Sequence, residues 1–164
     1  FVTPHFSLAP SHLKGGYFLL EIAKRLPEFN FLVVASQTGD IDNCILPPNL
    51  RIWGKAKDQH ELARLYSTAD LTLLLSRRET FSMVTAESLC CGTPVIGFKA
   101  GGPESIALPV HSAFVEHGDI DALITHITDL IAAKSEAAAI SKSASICYSE
   151  NIMAEKFLNV YKSV

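Results

Sequence analysis

Cysteine is scarce in this chain, with four among 164 residues (Cys44, Cys90, Cys91 and Cys147), and none stands at Cys-x-x-Cys spacing or at a metal-binding interval from a histidine. That excludes a disulfide scaffold and a zinc ribbon, and reads as the reduced thiols of a cytoplasmic protein. Positive charge is not in excess either: 14 Lys and Arg against 17 Asp and Glu leave a net charge of −3. No nucleic-acid partner is expected, because a surface that neutralises phosphates needs a basic face. Apolar runs are no longer than a strand and no signal-peptide pattern opens the chain, so neither a membrane span nor export is expected. The inner face of the membrane stays open to a longer protein. Among the six histidines (His5, His12, His60, His111, His117 and His126) no pair has helical ligand spacing with an acid, so no metal and no cofactor is expected. Gly-x-x-x-x-Gly-Lys-Ser/Thr, Gly-x-Gly-x-x-Gly and Gly-x-Ser-x-Gly are all absent.

What is present is enough apolar sequence, 48%, for one domain spanning 1–164 with a sizeable core. Phe1-Val2-Thr3-Pro4 begins inside what reads as a strand, so the chain is expected to be a fragment of something longer. Strand-like runs at 1–3, 31–35, 50–53, 70–75, 94–98 and 112–115 alternate with helical patterns at 15–26, 58–67, 82–90 and 119–133, and two further helices are expected at 136–146 and 150–162. The alternation predicts an α/β fold, a Rossmann-like parallel sheet with helices on both faces. Phe18, Leu19, Ile22, Ala23 and Leu26 form the apolar stripe of the first helix, which Pro27 ends. Met153, Phe157, Val160 and Tyr161 form one on the last helix, which needs somewhere to dock.

Three segments carry candidate chemistry. Ser11-His12-Leu13-Lys14-Gly15-Gly16 lies between the first strand and first helix, where backbone amides meet anions and a Lys adds a point charge; the bland alternative is an exposed Lys before a Gly-rich helix start. Glu79 is expected at the carboxyl end of the fourth strand, and Glu87 more than a turn into the next helix, with Thr80 or Ser82 as N-cap and Gly92 and Pro94 as stop signals. Such a pair can hold ribose hydroxyls and orient a sugar while the amides of Phe81, Ser82 and Met83 receive a diphosphate. The alternative is a capping acid and a solvated one. Lys99-Ala-Gly-Gly-Pro-Glu104 reads as a tight loop whose glycines let backbone approach a ligand. Trp53 is expected in the core rather than as the wall of a base pocket, and His5 is expected to make a local hydrogen bond.

Taken in order, Lys14-Gly15, Leu-Arg-Ile-Trp-Gly at 50–54, Glu-Leu-Ala-Arg-Leu-Tyr-Ser-Thr-Ala-Asp at 61–70, Ser76-Arg-Arg-Glu-Thr-Phe-Ser, Glu87-Ser-Leu-Cys-Cys-Gly-Thr-Pro-Val-Ile and Gly101-Gly-Pro-Glu104 resemble the group 1 glycosyltransferases, retaining enzymes of family 4 with GT-B architecture. The resemblance covers nearly the whole chain and implies the C-terminal, donor-binding half of that fold, the N-terminal acceptor domain being absent. It implies a nucleotide-sugar donor, transfer of a hexosyl group with retention, and a role in polysaccharide or glycan biosynthesis with a glycan or lipid-linked acceptor. By similarity Glu87 holds the donor ribose, Glu79 the sugar hydroxyls as the catalytic candidate, and Lys14 the diphosphate beside Gly15. Phe81, Ser82 and Met83 then offer backbone amides, Lys55 lies by the base, and the last helix crosses back onto the N-terminal domain. Two departures stand out: Ala9 replaces an Arg often found five residues before the phosphate Lys, and Ser82 replaces the usual Gly. Ala9 motivates an alternative, a catalytically silent nucleotide-binding module. A related GT-B nucleotide-sugar epimerase is a second, whereas a phosphorylase needs a pyridoxal phosphate lysine not identifiable here.

Overall fold

The computed structural model describes residues 2–3, 13–35 and 46–162. Six strands form one sheet: β1 (Val2–Thr3), β2 (Phe31–Val33), β3 (Leu50–Ile52), β4 (Thr72–Leu74), β5 (Val95–Phe98) and β6 (Ser112–Val115). They run in the order β3-β2-β1-β4-β5-β6, and every pairing is parallel. The chain winds outward from β1 to β3, crosses back, and winds outward again from β4 to β6. The strand order therefore reverses between β1 and β4, and the carboxyl ends of those two strands frame the crevice where an open α/β sheet takes its ligand.

Among the described residues seven helices accompany the sheet: α1 (Gly16–Arg25), α2 (Gln59–Thr68), α3 (Met83–Cys90), α4 (Gly102–Ile106), α5 (Ile120–Ala133), α6 (Ala137–Cys147) and α7 (Glu150–Lys162). The run Leu71–Leu75 shows why β4 is apolar throughout. Leu71, Leu73 and Leu75 join the core formed with Phe18, Leu19 and Ile22 of α1 and Leu123 and Ile127 of α5. Leu74 faces the other way, onto Leu89 of α3 and Ile140 and Ala144 of α6. Side chains alternate across a strand, so a strand covered on both faces has no position for a polar residue unless it is paired. The exception, Thr72, is fully buried and its Oγ1 pairs with Ser88 Oγ at 2.8 Å.

All five residues of the expected α1 stripe are buried. Asn49, at the entrance to β3, donates its amide to the carbonyls of Ala23, Leu26 and Phe29 at 2.9, 3.0 and 2.9 Å. Ala23 is in the last turn of α1, Leu26 is its C-cap and Phe29 lies in the turn beyond, so one side chain ties the end of α1 to the neighbouring strand.

Two expectations need correction. Trp53 is 53% exposed rather than in the core: it lies at the end of β3, the edge strand of the described sheet, with its amide still donating to Val33 O at 2.8 Å. The expected loop at 99–104 runs into a short helix, α4, with Pro103 near its start and Glu104 folded back to accept from the amides of Ala100 and Gly101 at 3.0 and 2.8 Å. Five residues are too few to show periodicity, and the paired glycines hid the helix. The last helix, α7, has no buried residue: Met153, Phe157, Val160 and Tyr161 are all more than half exposed, in keeping with a face whose expected partner is the N-terminal domain. Among the described residues no helix is long and apolar enough to cross a membrane.

Candidate functional site

The site is built from the loops that leave β1, β4 and β5 at one edge of the sheet. Leu13 and Lys14 form a turn into Gly15, the N-cap of α1, whose backbone is left-handed at φ 63°. A Cβ on Gly15 would stand 2.1 Å from the carbonyl oxygen of Leu75, so only glycine lets α1 start this close to the end of β4. The amide of Arg77 donates to the carbonyl of Leu13 at 2.7 Å, fastening the two loops together.

Across that fastening, Lys14 Nζ donates to Glu79 Oε1 at 2.6 Å, both side chains being largely buried. Glu79 is held through its backbone: it is bridged to Gly101, its amide donates to Ala100 O at 2.9 Å, and its carbonyl accepts from Gly102 N at 3.1 Å. Gly102 can do this because it has no Cβ, which would lie 2.5 Å from the Thr80 oxygen. The paired glycines thus bring backbone against backbone. In this structure the close partner is the Glu79 loop.

Past Thr80 the chain enters α3. Ser82 is the N-cap but does not cap with its side chain; its backbone is left-handed at φ 72°, and its Oγ shares a hydrogen bond with Thr85 Oγ1 at 2.9 Å. Phe81 and Met83 flank it, 50% and 60% exposed, and the first amides of a helix have no intrahelical acceptors. The positive end of α3 therefore points into the same edge of the molecule as Lys14 and Glu79.

Glu87 lies one turn further on, half-buried. Its Oε2 accepts from the hydroxyl of Tyr66 on α2 at 3.5 Å. Burial pushes the Glu87 carboxyl above the ordinary carboxylate range, and the Tyr66 hydrogen bond opposes that rise. Burial, with the charge of Glu87 beside it, pushes the Tyr66 hydroxyl strongly up, so it remains a donor. Sequence reasoning assigned no role to Tyr66; its signal was a lone phenol on the apolar face of α2 in register with Leu62 and Leu65.

Lys55 is not drawn into this group. It is exposed after β3, three strands from β4, or roughly 14 Å at the usual strand spacing. His117 stacks edge-on to Phe18 with ring centroids 5.4 Å apart and lies 5.1 Å from Phe98. Burial and then the Arg77 charge hold the His117 imidazole below its ordinary value, and it packs as an aromatic rather than as a cation. His5, Ala9, Ser11, His12 and Cys44 lie outside the described residues. Cys90, Cys91 and Cys147 are free thiols. Among the described residues no cluster of His, Cys, Asp and Glu could hold a metal ion.

A cleft of about 580 Å³ opens elsewhere, at the opposite sheet edge between Phe31, Arg51, Leu65 and Asp70. It contains none of the candidate residues. Fold topology and the convergence of charge both favour the edge with Lys14 and Glu79, so cleft size does not decide the site here.

The model of the glycosyl transferases group 1 family matches residues 14–145. Curated relatives include a D-inositol 3-phosphate glycosyltransferase of Segniliparus rotundus, 29% identical over 80% of this chain and 32% of its own length. Another is an N-acetyl-alpha-D-glucosaminyl L-malate synthase of Bacillus anthracis, 30% identical over 65% of this chain and 28% of its own length. The chain thus spans about a third of the length of the curated relatives it matches. Among solved structures, Anabaena HepE in complex with UDP superposes with a TM-score of 0.77 at 22% identity, covering 100% of this chain and 49% of that one. The lipopolysaccharide outer core galactosyltransferase WaaB gives 0.80 at 16%, covering 99% and 48%. With a family match from Lys14 into α6, the chain belongs to the group 1 glycosyl transferases and has the Rossmann-like fold of the C-terminal half of a GT-B enzyme.

Proposed function

We propose that this chain is the nucleotide-sugar-binding part of a retaining hexosyltransferase that works in polysaccharide or glycan assembly on a glycan or lipid-linked acceptor. Lys14 and the start of α3 receive the diphosphate, Glu79 orients the sugar hydroxyls, and Glu87 holds the ribose. Lys55 is offered as a neighbour of the base, reached only if the nucleotide extends outward along the sheet edge. The observation that carries the reading is the 2.6 Å contact of Lys14 with Glu79, which puts a phosphate-type cation and a sugar-type carboxylate side by side at the strand-order reversal. Support also comes from the neighbours described in complex with UDP and with UDP-glucose.

Chemically, departure of the sugar leaves charge on the β-phosphate. A fixed ammonium and a helix N-terminus stabilise that charge without reorganising, so the proposed transfer proceeds with no metal and no cofactor. Glu79 acts in this reading by holding hydroxyls, not as a nucleophile. Half of the cleft belongs to the acceptor domain, so the chain alone binds donor but transfers little, and in the cell it works in the cytoplasm.

Calorimetric titration with UDP, GDP and ADP tests this. One of the three binds saturably, and Lys14→Ala and Glu87→Ala each weaken it by roughly tenfold or more, since a hydrogen bond to a charged group contributes about 1.5–3 kcal/mol. Unchanged affinity in both variants would sink the assignment. Binding with no transfer by the full-length enzyme would favour the silent module that Ala9 suggests.

A further inference from the structure

We infer that Tyr66 is a positioning residue for the nucleotide's ribose: from inside the domain its hydroxyl engages one oxygen of Glu87 and aims the carboxylate, leaving the other oxygen for the ligand. This rests on the reading of Glu87 as the ribose acid, and deepens it.

Tyr66 is 1% exposed, so its ring fills space that a phenylalanine would fill equally well. What phenylalanine lacks is the hydroxyl, and among the described residues that hydroxyl has Glu87 as its hydrogen-bond partner. A buried hydroxyl costs stability unless it is satisfied, so its presence needs an acceptor, and the acceptor is the carboxylate at the site.

The surroundings fix both partners. The Tyr66 carbonyl accepts from Thr93 Oγ1 at 2.6 Å, and the Thr93 carbonyl accepts from Ser88 Oγ at 2.9 Å. Ser88 Oγ also lies within hydrogen-bond distance of Thr72 Oγ1 on β4, at 2.8 Å. Ser88 follows Glu87 in the chain, so one buried polar network anchors the backbone of the tyrosine on α2 and that of the acid on α3. The Tyr66 to Glu87 separation, 3.5 Å, is longer than the usual O–H···O distance, so the carboxylate is guided rather than clamped and keeps freedom to close on a diol.

To accept two ribose hydroxyls a carboxylate must be ionised, which burial opposes and a donated hydrogen bond favours. Among the described residues the other titratable group beside this pair is the Cys91 thiol, pushed up by burial and therefore neutral. Tyr66 is thus the group that can support the charge.

The test is titration of the full-length chain with UDP, GDP and ADP, and with the 2′-deoxy form of the one that binds, for the parent, Tyr66→Phe, Glu87→Gln and the double variant, across about pH 4.5 to 8. Tyr66→Phe is expected to weaken the ribonucleotide roughly three- to tenfold, the range of one net hydrogen bond. It should also lower the preference for ribo over deoxy and move the acid limb of the affinity profile to higher pH. In the Glu87→Gln background the same change should cost less than twofold. Parent-like binding by Tyr66→Phe overturns the inference. So does a loss that is equal in both backgrounds with no movement of the acid limb, which is the signature of a packing role. If Glu87→Gln itself leaves binding unchanged, or no diphosphate binds, the ribose reading of Glu87 falls and the inference with it.

Discussion

At the scale of single residues the site is assembled by backbone constraints as much as by charged groups. Gly15 and Gly102 are required because the carbonyls of Leu75 and Thr80 occupy the space a Cβ would need, and those close approaches bring Lys14 and Glu79 together. Ser82 is the informative contrast. Its φ of 72° explains why the family's usual residue there is glycine, and its hydrogen bond to Thr85 explains how serine is tolerated. Ser82→Ala keeps the left-handed strain and loses the bond, a destabilisation of about 1–2 kcal/mol. Ser82→Gly loses the same bond but sheds the strain, so urea unfolding should place it within about 1 kcal/mol of the parent. A glycine variant less stable than the alanine variant would show that the strain is not real.

At the scale of elements, helix existence and type were legible because apolar periodicity survives in the sequence: every element of eight or more residues appears where its pattern predicts it. The elements that were missed or misjudged are those whose surroundings, not pattern, decide them. The α4 helix is too short to be periodic, and Trp53 is a core-type residue at the end of an edge strand. The α7 helix carries the expected apolar face, with Phe157 at 59% and Tyr161 at 76% exposure, and none of its residues is buried among the described ones. Replacing both with serine should therefore change unfolding stability by less than about 0.5 kcal/mol, as exposed substitutions do. A loss above about 1 kcal/mol in urea titration would mean that α7 packs on the domain in solution.

At the scale of the whole molecule, the sheet order assembles the site from residues far apart in the chain, and stability and function pull against each other at Glu87. Its carboxyl is raised in the folded state by burial, so the native protein holds that proton more tightly than the unfolded chain. The associated stability is complete below the ordinary value of 4.5 and is lost as pH rises through the raised one. Glu87→Gln, neutral throughout, escapes that loss. It should gain on the parent in urea unfolding as the pH moves from about 4 to 7, while binding nucleotide less well; a deficit that grows with pH would refute this. The sequence by itself determined the α/β class, the placement of the long elements, and the identity of Lys14, Glu79 and Glu87 as candidates, because periodicity, glycine positions and motif spacing are local properties of the chain. Only the tertiary structure decided that Lys14 contacts Glu79, that Lys55 stands apart, that Tyr66 reaches Glu87 and that Asn49 closes α1. Those contacts span 20 or more residues and depend on strand order and on where the backbone runs closest, which no local pattern encodes.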